Sequence, residues 1–472
     1  MNALRFLTAG ESHGPKLTAI LEGMVAGVPV DTAAINHELA RRQQSAGSGG
    51  RMKIERDTAR ITAGVMAGHT TGAPIAFEIT NRDYAAWADR AIPPMTVPRP
   101  GHADLTGAIK YGYRDLRLAL ERASARETTA RVAVGALCKA YLAQFGIVVG
   151  GYVTAIGQVT ADLPDDLPYA ERFALAETND VRCPDAGAAE SMARHIWEIM
   201  QARDTVGGVF EVVALGVPPG LGSHVHFDRR LSGRLMAALG SIQAIKGVEI
   251  GPAFANARLP GTQVHDEITP PPAPPLRGEG SDTPPSFAGA GGIEETPPPA
   301  PPLHGEGSDT PPSLAGAGDI EETPPPAPPL HGEGSDTPPS LAGKGAGGLG
   351  RATNRAGGLE GGITTGEPIV LRAAMKPIAT TLTPLRSVDL ATGQPAVTQY
   401  ERSDFCAAPR AVVVGEAMVA WVLADELLRK LGGDSLAEQL PRFAALSRGR
   451  LDEFEMDNEA WRFGYEMQDD ER

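Results

Sequence analysis

Cysteine is scarce in this sequence: three in 472 residues, Cys138, Cys183 and Cys406, with no C-x-x-C spacing and no matched histidine pair. This scarcity argues against a disulfide framework and a structural zinc site, and fits a reducing compartment. Long apolar runs are also missing, since no stretch reaches the roughly 18 to 20 residues that a membrane span requires. The opening MNALRFLTAGESHG carries neither the basic nor the apolar region of a secretory leader. The expectation is a soluble, cytoplasmic protein with no membrane or nucleic-acid partner. At 42% hydrophobic and 21% charged residues, the chain can bury one large core or two ordinary ones, which excludes global disorder and small stapled scaffolds.

Two quantities are in excess for a folded enzyme, 41 prolines and a formal net charge of −15. Both trace to one segment. A unit beginning TPPPAPPL starts at Thr269, Thr296 and Thr323, a period of 27 residues. Residues 267–350 hold 21 of the prolines and 12 acidic against 2 basic residues. Leu and Ile are too sparse there to give a solenoid a face to bury, and proline blocks helix and ladder alike. The segment reads as an extended, disordered insertion and, in the blander of two readings, a duplicated spacer; the sharper one is a proline-rich ligand for a small adaptor domain. Gly345, Gly347 and Gly350 match G-x-G-x-x-G by chance, with no strand before them.

Elsewhere the pattern is mixed. Strands are expected at Leu17–Val25, Ile61–Val65, Ala73–Ile79, Val148–Val159, Val209–Leu215 and Ile369–Met375. Helices are expected at Thr32–Gln43 behind an Asp31 cap, Leu105–Glu121, Ala125–Gln144 with Ser124 as cap, and Gly415–Lys430. The blocks do not alternate as regular βαβ units, so the expected class is α+β, with antiparallel sheets sandwiching helices.

Candidate chemistry sits in short Gly- and Arg-rich blocks. Gly10-Glu11-Ser12-His13-Gly14 formally matches the nucleophile elbow of serine hydrolases, on about five residues of candidate strand. His13 in that turn also suits a proton donor to an anionic leaving group. Arg41-Arg42-Gln43 runs on through Gly47-Ser48-Gly49-Gly50-Arg51-Met52-Lys53, a glycine loop dense in cations. Pro98-Arg99-Pro100-Gly101-His102-Ala103-Asp104 fixes a turn presenting Arg99 and His102. Glu121-Arg122-Ala123-Ser124-Ala125-Arg126-Glu127-Thr128 places Ser and Arg at a helix start, a phosphate-binding geometry. Gly357 to Gly366, Met375-Lys376-Pro377 and Glu401-Arg402-Ser403-Asp404 complete the set. Ser223-His224-Val225-His226 would put two histidines on one side of a strand, too few ligands for a metal.

In order, spacing and wording, GESHGP, RPGHAD, SARET, AGGLEGG and ERSD closely resemble the chorismate synthase family. The resemblance spans residues 1–266 and 351–435 as one catalytic domain, with 267–350 as the insertion and 436–472 as an acidic C-terminal tail. It implies a β-α-β sandwich, a homotetramer, and a lyase that eliminates phosphate from 5-enolpyruvylshikimate 3-phosphate in a 1,4-anti sense to give chorismate. It also implies reduced FMN (FMNH2) as cofactor, lending an electron and taking the carbon-6 hydrogen at N5 without net redox change. NADPH enters only indirectly or through an intrinsic flavin reductase activity, and no metal is needed.

Carried over position by position, the resemblance makes His13 the proton donor to phosphate, His102 the protonator of the flavin near N1 and O2, and Asp404 the acceptor of the N5 proton. Ser12, Arg42, Arg51, Arg99, Ser124, Arg126 and Arg402 bind the substrate, whose two carboxylates and phosphate call for guanidinium forks. Arg122, Ala123, Ser124, Ala125, Gln243, Ala244, Gly361, Lys376, Pro377, Ile378, Ala379, Thr380 and Arg402 hold the flavin. One departure stands out: Ser48 occupies a position that is normally arginine in the family, and a hydroxyl cannot replace a guanidinium in a charge-assisted pair. Two rivals stay open at this stage. A serine hydrolase predicts labelling of Ser12 by a fluorophosphonate, and a scaffold built around the repeats predicts no turnover.

Overall fold

The computed structural model describes residues 4–47, 56–270, 348–401 and 403–456. Strand alternation builds a first sheet from β1 (Arg5–Ala9), β2 (Lys16–Glu22), β3 (Ala59–Ala63) and β4 (Ile75–Thr80), antiparallel in the order β1-β2-β4-β3. The register pairs Leu17 with Ile79, Ala19 with Phe77 and Leu21 with Ile75, so all six apolar side chains leave one face together and are buried. Between β2 and β3 runs α1 (Thr32–Gln43), whose Asp31 cap accepts from Ala33 N at 2.8 Å. After β4 come α2 (Asp104–Tyr111), α3 (Arg117–Ala123) and α4 (Thr128–Ala143).

A second antiparallel sheet contains β5 (Val148–Ile156), β6 (Val159–Thr160), β7 (Gly208–Leu215), β8 (Ile245–Ile250) and β9 (Ile369–Met375), in the order β8-β9-β7-β5-β6. Its central strand β7 is apolar nearly throughout because it is covered on both sides. One face carries α5 (Tyr169–Ala176), whose Phe173 packs beside Tyr152 and Val213; the other lies under α8 (Ala408–Leu431). Helices α6 (Ala186–Gln201) and α7 (Leu231–Gly240) flank this sheet. Helix α4 packs on β2, α8 on β5 and β7, and α4 and α8 on each other, with α1 against both. The core therefore runs through these helices and the strands they pack on, an α+β arrangement in which α8 is buried on almost every face.

The described structure corrects several boundaries. The helix expected at Leu105–Glu121 is two, because Gly112 takes φ +68° and ends α2. The strand expected from Leu17 stops at Glu22, before Gly23 at φ +96°, and Gly157 turns β5 into β6. Helix α8 begins seven residues before the expected Gly415, with Pro409 in its first turn. His224 and His226 lie on bends rather than a strand, and His226 contacts Asp228 at 2.7 Å. The segment from residue 436 does not begin as a tail: α9 (Leu436–Ala444) packs on the body through Phe443 against Phe145. All three cysteines are buried free thiols. Ile268–Thr269 pairs with Gly350–Arg351, which brings the two ends of the repeat segment together; residues 271–347 between them, including Gly345 and Gly347, lie outside the described residues.

Candidate active site

The site starts at the turn joining β1 to β2. Gly10 takes φ +110°, and a β-carbon there would meet Lys16 O at 2.5 Å, so only glycine fits. Asn81, just past β4, gathers the turn by donating from Nδ2 to the carbonyls of Glu11, Ser12 and Gly14. Its Oδ1 accepts from Arg126 Nε at 2.9 Å and Nη2 at 2.7 Å, while Arg126 Nη1 pairs with buried Asp57 at 2.6 Å. Ser124 caps the short 125–127 turn and donates to Ser12 Oγ at 3.1 Å. This turn connects two antiparallel strands instead of a strand and a helix, so Ser12 is not on a nucleophile elbow.

Arg42, in the last turn of α1, donates to Thr128 Oγ1 and to Ala125 O. Burial pulls its guanidinium down to about 10 against the opposing charge of Asp57, with Arg126 and Arg410 pushing the same way as burial. It remains a cation at neutral pH. Arg99 clasps Asp104 through Nε and Nη2 at 2.8 and 3.0 Å and reaches Thr380 Oγ1 at 3.0 Å. His102 Nδ1 lies 2.6 Å from the same Asp104. Burial alone would raise the Asp104 carboxyl, but His102 and Arg99 outweigh it and hold it well below the usual carboxylate range. On the opposite side, His13 Nδ1 lies 2.7 Å from Glu121 Oε1. Asp404 pairs with Arg410 Nη1 at 2.6 Å in the first turns of α8. Lys376, directly after β9, donates to Gly101 O at 3.0 Å; burial and the charge of Lys246 lower its ammonium.

These groups surround one cavity of about 740 Å³. Of the residues singled out from sequence, Ser12, His13, Arg42, Arg99, His102, Ala123, Ser124, Ala125, Arg126, Gln243, Ala244, Lys376, Ile378, Ala379, Thr380 and Asp404 line it. Pro377 is not on its wall. Arg122 turns the other way, donating to the carbonyls of Thr8 and Gly10 and facing a separate groove. Gly361 sits in the turn between Leu359–Glu360 and Ile363–Thr364, beside His224. Ser48, Arg51 and Arg402 lie outside the described residues. Sequence reasoning gave no role to Asp57, Asn81, Trp87, Asp104, Glu121 or Arg410. Asp104 stood inside a quoted block beside the Arg99 and His102 it serves, whereas Glu121 opened one block while its partner His13 lies in another, 108 residues away. Asp57 and Asn81 had no local signal, because their partner Arg126 is distant in sequence.

A family model for chorismate synthase matches residues 4–296 and 332–428. Chorismate synthase of Desulforamulus reducens is 45% identical over 446 residues, covering 92% of this chain and 96% of that protein. That of Aquifex aeolicus is 46% identical over 456 residues, covering 93% and 96%. A crystal structure of chorismate synthase matches with a TM-score of 0.64 at 40% identity, covering 93% and 96%. The chain belongs to the chorismate synthase family. It is an enzyme, a carbon–oxygen lyase, and its reaction is the family's 1,4-anti elimination of phosphate from 5-enolpyruvylshikimate 3-phosphate to give chorismate. Membership of the chorismate synthase family implies a reduced flavin cofactor. Among the described residues no group of three His, Cys, Asp or Glu side chains could hold a metal, and no helix is long and apolar enough to cross a membrane.

Proposed function

We propose that the 740 Å³ cavity binds 5-enolpyruvylshikimate 3-phosphate and reduced FMN together. The observation that carries this reading is the convergence of buried Arg42, Arg99 and Arg126 with two carboxylate-paired histidines on one cavity. The flavin fits the residues present. Gln243 Oε1 is buried at the cavity wall and accepts no hydrogen bond from the described residues, which suits a ring N–H donor. Ala123 to Ala125 and Ala244 line the wall nearby, and Lys376 with Ile378 to Thr380 offers a cation and hydroxyl to the FMN phosphate. When bound, reduced flavin supplies the electron density that makes phosphate leave and carbon 6 give up its hydrogen, with no net redox change.

The chain's own residues do the rest. Arg42, Arg99 and Arg126 hold the substrate anions, each fixed by neutral or carboxylate partners so that little reorganisation accompanies binding. Ser12 and Ser124 add hydroxyl donors. His13 gives its proton to the departing phosphate oxygen, His102 holds a proton toward the flavin N1 and O2 edge, and Asp404 receives the proton lost from the substrate. Arg51 and Arg402 keep the roles that the resemblance implies, as does NADPH; Arg122, Gly361 and Pro377, which do not line this cavity, are not assigned to the flavin in it. The layered fold is the family's β-α-β sandwich, the working form a cytoplasmic homotetramer, and 267–350 a spacer outside the catalytic domain.

The test is an anaerobic assay with photoreduced FMN and enolpyruvylshikimate phosphate, followed for chorismate absorbance and phosphate. His13→Ala, His102→Ala and Asp404→Asn should each keep FMN binding and lower turnover by roughly 10²- to 10⁴-fold, the usual worth of a positioned acid or base. Near-normal rates in all three would overturn the assignment.

A further inference from the structure

We infer that Glu121 is the positioning residue of His13, fixing which of its ring nitrogens faces the departing phosphate. The inference rests on His13 being the acid. Glu121, in the last turn of α3, holds His13 twice: Oε2 accepts the backbone N–H at 2.8 Å, and Oε1 lies 2.7 Å from Nδ1. The backbone is pinned at the preceding residue too, where Ser12 N–H donates to Glu121 O at 3.2 Å. Trp87 packs on the imidazole with ring centroids 4.3 Å apart, so the ring is confined from a second side. Burial would raise the Glu121 carboxyl, but the His13 hydrogen bonds outweigh it and keep it below the ordinary range.

An ionised carboxylate can only accept, so Nδ1 carries the hydrogen. Nε2 is then the nitrogen that gives up its proton, and the neutral ring left behind is the Nδ1–H tautomer that Glu121 already holds. No tautomer exchange or ring flip separates donation from the next turnover. His102 is built the same way, with Asp104 Oδ1 at 2.6 Å from its Nδ1. Among the described residues, Asp83 and Arg90 on the segment carrying Trp87 line the same cavity as His13, and Arg117 on α3 acts on the Glu121 carboxylate. Asp83 is bound by Trp87 Nε1 at 3.1 Å, and both arginines lie 6.0 Å from the Trp87 ring.

Glu121→Gln keeps the size of the side chain and can still accept through one oxygen, but it no longer obliges Nδ1 to carry the hydrogen. The expected result is a fall in kcat of roughly tenfold or more, part of what a positioned acid contributes, with substrate KM and FMN affinity unchanged. In ¹⁵N NMR of histidine-labelled enzyme, the neutral His13 ring should be Nδ1–H in the native protein and mixed in Glu121→Gln. In a His13→Ala background Glu121→Gln should cost nothing further, which separates it from a residue that merely supports the fold. An unchanged tautomer with unchanged kcat, or a full additional loss in the double variant, would overturn the inference. His13→Ala with normal turnover would instead sink the reading of His13 as the acid, and the NMR result would show whether Glu121 still sets the ring.

Discussion

Glu416, fully buried on α8, takes Arg41 Nη1 at 2.7 Å and also Lys139 Nζ; Glu38 takes the same two cations at 2.9 and 2.7 Å. Arg41 adjoins Arg42, so this four-membered network anchors the end of α1 on which a cavity arginine stands. Burial would raise the Glu38 carboxyl, but the charges and hydrogen bonds of Lys139 and Arg41 outweigh it and bring it down to about 2. An unfolded glutamate titrates near 4.3, so the ionised side chain contributes stability that is fully present above about pH 5. That contribution is lost as pH falls from there toward 2. The melting temperature should therefore fall through this window. Glu38→Gln should melt lower at neutral pH and lose less on acidification, as scanning calorimetry across pH 3 to 7 would read. Parallel curves for the two proteins would remove Glu38 as a source of acid lability.

Elements meet most tightly where α4 crosses α8. A β-carbon on Gly135 would lie 2.2 Å from Ala417 Cβ and 2.4 Å from its Cα, backbone that cannot step aside. Gly135→Ala should destabilise by about 1 to 3 kcal/mol through overpacking, seen as a lower melting temperature, and adding Ala417→Gly should restore only part. Tolerance of the single change would mean the helices are not in that contact. Elements with one clean period were legible in the sequence: α1 and β9 lie on their expected residues. Glycines with positive φ explain most of the misplaced ends, because the period continues through Gly23, Gly112 and Gly157 while the backbone does not. Helix α6 went unread although Asp185 caps it and Ala189, Met192 and Ile196 mark its buried face. Strand β8 carries a glycine and a charged residue on each alternating face, Glu249 with Ile245 and Lys246 with Val248 and Ile250, which a short window cannot distinguish from loop.

For the molecule as a whole, the motif blocks were legible because each is local in sequence, and the cavity is where most of them, though not Gly357 to Gly366, meet. What holds them there was not legible: Asn81 to Arg126, Asp57 to Arg126 and Glu121 to His13 are pairs that exist only once two sheets and their helices are in place. The repeat segment is separable by the same logic. Its ends are joined in the Ile268–Thr269 and Gly350–Arg351 pair, and the family model passes over 297–331. If the proline-rich, acidic stretch acts as a solvated spacer, closing a loop of about 80 residues rather than about 5 costs roughly 2.5 kcal/mol from (3/2)RT ln(80/5). Its negative charge also opposes entry into a cavity walled by arginines. Replacing residues 271–347 with a short Gly/Ser linker should therefore leave kcat and the oligomer unchanged and modestly raise the melting temperature. A loss of turnover beyond tenfold in a folded, shortened enzyme would mean that the repeats reach the active site or order a loop beside it.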